Sequence, residues 1–237
     1  MNQACSEVVV FDFDGTLVSG DSFLDFAVHY CLVRPVRLAL VIAVLPVALL
    51  ALARSRTAAA SVLLWAMTVL VSTRSFVQAL HRFAAHTLPG RAHEVTFAEL
   101  TRQLELGRRV VIATGSLPLL VRVVLRARNI RGLGVVGSRF RRGWGALVVE
   151  THCVGRTKVE ELRRRLGIEH WSSVYTDSFA DRSLMRRAQL VTLVAPSPRT
   201  LVQARNLVGS VATLRVLRPG SGLELVSEPP SSDARPP

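Results

Sequence analysis

The stretch Val8-Val9-Val10-Phe11-Asp12-Phe13-Asp14-Gly15-Thr16-Leu17 decides how the rest of the chain is read. Four apolar, mostly β-branched residues that stop at two carboxylates and a glycine describe a buried strand delivering acids into a tight loop. The acids then lie at the strand's carboxyl end, which in an open parallel sheet is where ligands bind. Asp12 and Asp14, two apart in an extended chain, point the same way and repel. A divalent cation, or chemistry on a bound phosphate, accounts for tolerating them. The plain alternative is an Asx-type turn with Asp14 solvated and Gly15 supplying the bend.

The same punctuation recurs. Arg109 to Ala113 (RVVIA) reads as a second buried strand, closed by Thr114-Gly115-Ser116, with Pro118 starting a helix to about Arg128. Backbone N–H groups and a hydroxyl at such a helix start can hold a phosphate. Ser173 to Thr176 is a third strand, ending in Asp177-Ser178 with Asp181 four residues on. Asp177 is placed to ligate the same cation as Asp12, and Asp181 to begin the next helix. Between them, Thr157 is predicted to cap a helix over Lys158 to Leu166, with Glu160 and Glu161 early and Arg163 to Arg165 late. A lysine at the positive end of a helix is electrostatically out of place, which suggests that Lys158 reaches for an anion; a solvated surface lysine is the alternative.

Composition bounds these readings. A chain of 237 residues, 49% of them hydrophobic, suits one domain with a sizeable insertion. Cys5, Cys31 and Cys153 have no CxxC spacing, so neither a disulfide framework nor a zinc site is indicated, and a reducing compartment is expected. The first 20 residues carry acids in place of a basic and then apolar leader, so no secretory signal is read there. The formal charge is +13. Residues 1–100 hold seven Arg and seven acids, so the excess lies in residues 101–237. Such a half is drawn to polyanions, either nucleic acid or an anionic leaflet. No base-reading or RNA-binding motif accompanies it, so no specific nucleic-acid partner is expected.

The stretch after the first loop is unusually apolar. Asp21 caps a predicted helix through Phe23, Phe26, Ala27 and Tyr30. Leu38 to Ala53 follows without a charge, interrupted by Pro46; Thr57 to Thr73 is a second uncharged run, with Arg54-Ser55-Arg56 between them. A helix of about 16 residues is about 24 Å long, short of the ~30 Å hydrocarbon core. Spanning would also put the arginine tip on the far side from a cytosolic domain. A re-entrant or interfacial hairpin over about 38–73 is therefore expected, with a buried helical pair in a soluble cap as the alternative. Ser75 to His86 and Glu94 to Leu106 read as amphipathic helices. Val135 to Gly137 reads as a strand leading through a turn at Arg142-Gly143 to Leu147-Val149, Leu190 to Val194 as a strand, and Thr200 to Leu207 as a helix. The Pro/Ser-rich end, Glu228 to Pro237, is expected to be disordered.

In order, DFDGTL at 12–17, ATGS at 113–116, Lys158 within GRTKVEEL and TDSFAD at 176–181 resemble the four motifs of the haloacid dehalogenase superfamily of phosphatases, subfamily IB, over roughly residues 7–207. LPVALLALARSRTAAASVLLWAMT and CVGRTKVEELRRRLG further resemble its phosphatidylglycerophosphatase C group. The resemblance implies an α/β fold: a Rossmann-like parallel-sheet core from residues 1–20 and 107–210, a strongly apolar helical cap inserted at the C1 position over 21–106, and a C-terminal extension over 211–237. It implies Asp12 as nucleophile and Asp14 as general acid and base. Mg²⁺ would be held by Asp12, the Asp14 carbonyl and Asp177, with Asp181 supporting. Gly15, Thr114, Gly115 and Lys158 would bind the phosphoryl group.

An acid at position 14 favours phosphatases over the dehalogenases, which lack it, and over pump-type ATPases, which carry threonine there. Thr176 departs from the family's usual glycine and is expected to crowd the metal loop. An apolar cap suits an anionic phospholipid better than a small polar ester. The expected reaction is dephosphorylation of phosphatidylglycerophosphate to phosphatidylglycerol at the cytoplasmic face of the cell membrane. The alternatives are a soluble cytoplasmic phosphomonoesterase resembling phosphoserine phosphatase and, last, an inactive basic module binding nucleic acid or membranes.

Overall fold

The computed structural model describes residues 7–209, 212–218 and 222–227. Strand β1 (Val8–Phe11) lies inside the sheet with both faces covered: Val9, Val10 and Phe11 have no exposed surface. It pairs in parallel with β2 (Arg109–Ala113) on one side and β6 (Trp171–Thr176) on the other. With β3 (Gly134–Val136), β7 (Ala188–Val194), β8 (Thr213–Arg218) and β9 (Gly222–Ser227), the sheet runs β3-β2-β1-β6-β7-β8-β9, parallel except for β9. The chain winds outward from β1 to β3, then crosses back to β6 and winds the other way. The crevice at the carboxyl ends of β1, β2 and β6 is therefore the sheet's topological switch point.

Helices cover both faces. On one, α5 (Glu94–Glu105) and α6 (Pro118–Ala127) bring Phe97, Leu100, Leu120 and Val124 against Phe11 and Ile112. Phe11 stacks on Tyr175 at 4.2 Å. The Tyr175 hydroxyl donates to Glu99 at 2.6 Å and accepts from Gln103, so α5 is tied to the sheet by a buried polar network. On the other face, α7 (Arg156–Leu166), α8 (Arg182–Met185) and α9 (Pro198–Val208) enclose Val10, Val111, Val174 and Val191 with Leu162, Leu184 and Ala204.

The insertion after β1 starts with α1 (Ser22–Leu32), capped by Asp21, whose carboxylate accepts from Phe23 N and Leu24 N. Then come α2 (Pro35–Arg54), α3 (Arg56–Thr68) and α4 (Thr73–Thr87). Helix α2 is longer than its uncharged run: Pro35, with no N–H to lose, opens it, and it continues through Pro46 to Arg54. Its 20 residues span about 30 Å. The second uncharged run is broken instead, for α3 stops at Thr68 and α4 leaves at 101°.

Several expected boundaries shift. Helix α5 packs on the sheet and belongs to the core, so the inserted segment ends well before residue 106. Residues 213–218 and 222–227 are not an appendage: β8 extends the parallel sheet beside β7, and β9 closes its edge. Glu228 to Pro237 and Cys5 lie outside the described residues. Helix α7 starts at Arg156, with Gly155 at positive φ as its N-cap, which puts Thr157 inside the first turn. Strands β4 (Arg139–Gly143) and β5 (Ala146–Thr151) form a hairpin apart from the main sheet. Its open edge is covered by α3: Leu147 N donates to Thr68 Oγ1 at 2.9 Å and Val149 N to Ser61 Oγ at 3.2 Å. The core thus sends an arm into the insertion.

Candidate active site

Each strand at the switch point ends where its apolar run meets small or acidic residues. Asp12 N still donates to the Tyr175 carbonyl, so the ladder between β1 and β6 fixes the Asp12 backbone. Its carboxylate turns inward: Oδ1 accepts from Phe13 N at 2.8 Å and from Lys158 Nζ at 2.7 Å. Lys158, from the first turn of α7, also donates to Asp181 Oδ2 at 2.8 Å. Lys158 is the chain's single lysine, and it is 3% exposed between two buried acids. Desolvation disfavours its charge, yet Asp12 and Asp181 together hold its pKa well above the ordinary lysine value. Burial pushes Asp12 above the usual carboxylate range, against the pull of Lys158.

Asp14 sits on the turn that follows. Its Oδ1 accepts from Ser22 N at 2.8 Å and its Oδ2 from the Thr114 hydroxyl at 3.3 Å. Burial raises its pKa despite the Ser22 hydrogen bonds, so it holds a proton more readily than a free aspartate. Gly15 has φ +74°, and a Cβ there would meet Asp177 Oδ2 at 2.3 Å. Only glycine lets the β6 carboxylate lie against this loop. Asp177 too is raised by burial, and it accepts from the Thr16 hydroxyl at 3.4 Å.

A cavity of about 520 Å³ opens over these groups, lined by Asp12, Asp14, Gly15, Gly115, Lys158, Asp177 and Asp181 at its floor. Thr114 is placed otherwise than expected: fully buried, it donates to Asp14 and accepts from Ser116 N, while Gly115 and Ser116 face the cavity. Thr176 does not crowd the loop. Its hydroxyl donates to Asp181 at 2.9 Å and accepts from Ser178 N, doing in a buried position what a glycine cannot.

Sequence reasoning missed the rim. Phe23 and His152 line the cavity, and the Ser22 and Ser116 hydroxyls meet at 2.9 Å, pinning the start of α1 to the second loop. The register of α3 against β5 brings the strand's far end, Thr151-His152, level with Arg56. Burial, then the Arg56 charge, lowers the His152 pKa and keeps the ring neutral near pH 7. No local pattern marks His152, because its role depends on the pairing of α3 with β5.

The floor carries four carboxylates, those of Asp12, Asp14, Asp177 and Asp181, against one lysine. Hard oxygen donors with a surplus of negative charge fit Mg²⁺, and the missing Cβ of Gly15 leaves the Asp177 carboxylate room beside the Asp12 loop. Among the described residues no three His, Cys, Asp or Glu side chains converge as ligands. A cation held by Asp12 and Asp177 would therefore be completed by a main-chain carbonyl and water, as Mg²⁺ commonly is.

A family model for haloacid dehalogenase-like hydrolases matches residues 9–186, most of the chain. The chain belongs to the haloacid dehalogenase-like hydrolase family and is an enzyme of that class. Among solved structures, a protein from Bordetella pertussis Tohama I, described as of unknown function, superposes with a TM-score of 0.63 at 21% identity, covering 85% of this chain and 96% of that one. A phosphoserine phosphatase in apo form gives 0.56 at 17% identity, covering 84% and 90%. A phospho-aspartyl intermediate analogue of phosphoserine phosphatase gives 0.54 at 14%, again over 84% and 90%. At these identities the likeness is one of fold.

Proposed function

We propose that the protein is a Mg²⁺-dependent phosphomonoester phosphatase working through an aspartyl-phosphate. The observation that carries this reading is the pairing at the end of β1: a buried Asp12 whose Oδ1 is held by Lys158, and an Asp14 two residues on with a raised pKa. Lys158 orients Asp12 so that its free Oδ2 attacks phosphorus while the bond to the ester oxygen breaks. Asp14, protonated, gives its proton to that leaving oxygen. The same carboxylate then takes a proton from water attacking the aspartyl-phosphate, releasing inorganic phosphate and restoring Asp12. Lys158 and the Gly115 and Ser116 backbone face the phosphoryl oxygens. When bound by Asp12 and Asp177, Mg²⁺ supplies screening of the negative charges that meet in the transfer.

The substrate reading is an anionic phospholipid, phosphatidylglycerophosphate yielding phosphatidylglycerol, with the protein at the cytoplasmic face of the cell membrane. It is supported by the exposed apolar surface of α2, which follows directly on α1, the helix whose first residues reach the cavity through Asp21 and Phe23. The second reading, a small ester such as phosphoserine, draws on the fold likeness to phosphoserine phosphatase. Phosphate release from phosphatidylglycerophosphate in mixed micelles, run beside phosphoserine with Mg²⁺ or EDTA and with Asp12→Asn as blank, tests both. Preference for the lipid supports the first, preference for phosphoserine the second. Release of phosphate from neither, or release untouched by Asp12→Asn, overturns the phosphatase reading.

A further inference from the structure

We propose that the protein docks on one leaflet of an anionic membrane through the outward faces of α1 and α2, with α2 lying in the plane of the headgroups and not crossing the bilayer. This deepens the lipid reading by naming the surface and its orientation, and it rests on that reading only for the choice of partner.

Exposed apolar residues run from α1 into α2. Of the 20 residues in α2, only Ala48 is buried. Ile42, Leu45, Leu49 and Leu52, at helical spacing, are all exposed, and Leu50 is 74% exposed. On α1, Leu24, Val28 and Leu32 form a second exposed stripe at four-residue intervals. Val33 and Val36, both exposed, join the two across the turn. Helix α1 begins beside Asp21 and Phe23, which line the cavity, so this surface starts at the active-site mouth. An exposed apolar face of this extent marks an interaction site.

Charge selects the partner. Between Asp25 and Glu94 the chain has seven arginines and no acid. Arg34 and Arg37 stand at one end of α2, and Arg54 and Arg56 at the other. A second copy packed symmetrically on the same face would set these arginines against their own kind, and the acid within α1, Asp25, is already paired with Arg91. Anionic headgroups answer both the oil and the charge.

The neighbours of α2 decide its orientation. At about 30 Å it is long enough to cross. Yet α3 runs back along it, tied by Arg37 Nη1 to the Val69 carbonyl at 2.5 Å, and with 13 residues α3 reaches only about 20 Å. Helix α3 is also fastened to β5 through Ser61 and Thr68. A crossing α2 would drag into hydrocarbon a hairpin bearing Arg139, Arg141, Arg142 and Glu150, which no bilayer core accommodates. Lying flat, α2 buries its outer face while α3 and the hairpin stay in water.

Sedimentation of the full chain with vesicles tests the docking. Vesicles of phosphatidylglycerol and phosphatidylcholine, mixed at about 3:7, should pellet about tenfold more of the protein than phosphatidylcholine alone, and less at high salt. The double variant Leu45→Glu/Leu49→Glu should lose this binding while keeping the circular dichroism of the parent. Asp12→Asn should keep the binding, so loss of turnover and loss of docking are read separately. Spin labels on single cysteines placed at Leu38, Leu45 and Leu52, in a background with native cysteines replaced, then report depth. Similar shallow depths at all three, with both ends open to an impermeant reagent outside sealed vesicles, are expected. A deep middle with one end protected overturns the in-plane arrangement. A soluble dimer that buries α2 and ignores vesicles overturns the docking itself.

Discussion

Lys158 and Leu50 are misplaced in opposite senses. The first is a charge at 3% exposure, the second an aliphatic side chain at 74%. In the sheet the usual division holds: its inner residues are dry. Near Lys158, burial is tolerated because every charge has a partner within hydrogen-bonding reach, with Asp12 on one side and Asp181 on the other. Along α2, from Leu38 to Ala53, no side chain offers a polar partner of any kind, since the helix has neither hydroxyls nor acids. A buried cluster whose lysine is held by two acids is fixed in place as folded and waits for a cation and a substrate. A bare apolar helix is incomplete and waits for a surface.

The largest effect is expected where the buried cluster does chemistry. Asp12→Asn keeps the shape of the side chain but removes the nucleophile, and phosphate release should fall by about three orders of magnitude or more. Melting should still be cooperative. Retention of a tenth of the activity would show that the nucleophile is some other group.

Removing the cation tests the cluster's stability. Lys158→Met leaves Asp12 and Asp181 buried without an opposing charge, and unfolding in urea should become easier by about 3–5 kcal/mol at neutral pH. The sign of the pH dependence follows from the direction of the shifts. Burial already holds the Asp12 pKa above its ordinary value, and loss of the Lys158 charge removes the main opposing pull, so the folded state binds more protons. The variant should therefore regain stability as pH falls towards the carboxylate range and lose it as pH rises. A deficit that does not change with pH would mean that the loss is one of packing.

Glu99 gives the opposite slope at smaller size. Burial raises its pKa, but hydrogen bonds from Arg102, Tyr175 and Gln103 outweigh this and leave it below the usual glutamate value. Its contribution is present above its unfolded pKa and disappears as pH falls through the folded one. Glu99→Gln should cost about 1–3 kcal/mol at pH 7 and progressively less as the pH falls into the acid range, measured by urea titration across that range. An unchanged difference at low pH would detach the network from ionisation.

What was legible in the sequence follows the range of the interactions. The three loops of the site could be read because each strand announces its own end, an apolar run that meets Asp12, Thr114 or Asp177. Gly15 could be read as a bend but not as the seat of Asp177, a contact made across 162 positions of chain. The length of α2 was underestimated by counting only uncharged residues; Arg37 stays in the helix because its guanidinium finds the Val69 carbonyl. In β8, Leu214, Val216 and Leu217 are buried while Thr213 and Arg215 are half-buried, a pattern that the arginines disguised as a tail. The neutral charge of the first hundred residues concealed a division: acids at the catalytic loops and the core helix α5, arginines in the insertion.

The smallest expected effect separates α2 from α3, two neighbouring helices of similar composition. Helix α3 has Ser61 and Thr68 facing β5, and Thr68→Val would leave the Leu147 N–H without its acceptor at a buried edge, costing about 1–2 kcal/mol. On α2, Leu49 is 61% exposed, so Leu49→Gln removes little burial in water. Its effect on unfolding of the lipid-free protein should lie within about 0.5 kcal/mol. Both are single substitutions at uncharged positions of adjacent helices, so hydropathy alone predicts the leucine to matter more. The opposite order, read from urea midpoints, follows if the energy resides in partners and not in apolarity. A loss at Leu49 of the size of a core substitution would mean that protein already covers α2 in solution, and the contrast between the two helices would disappear.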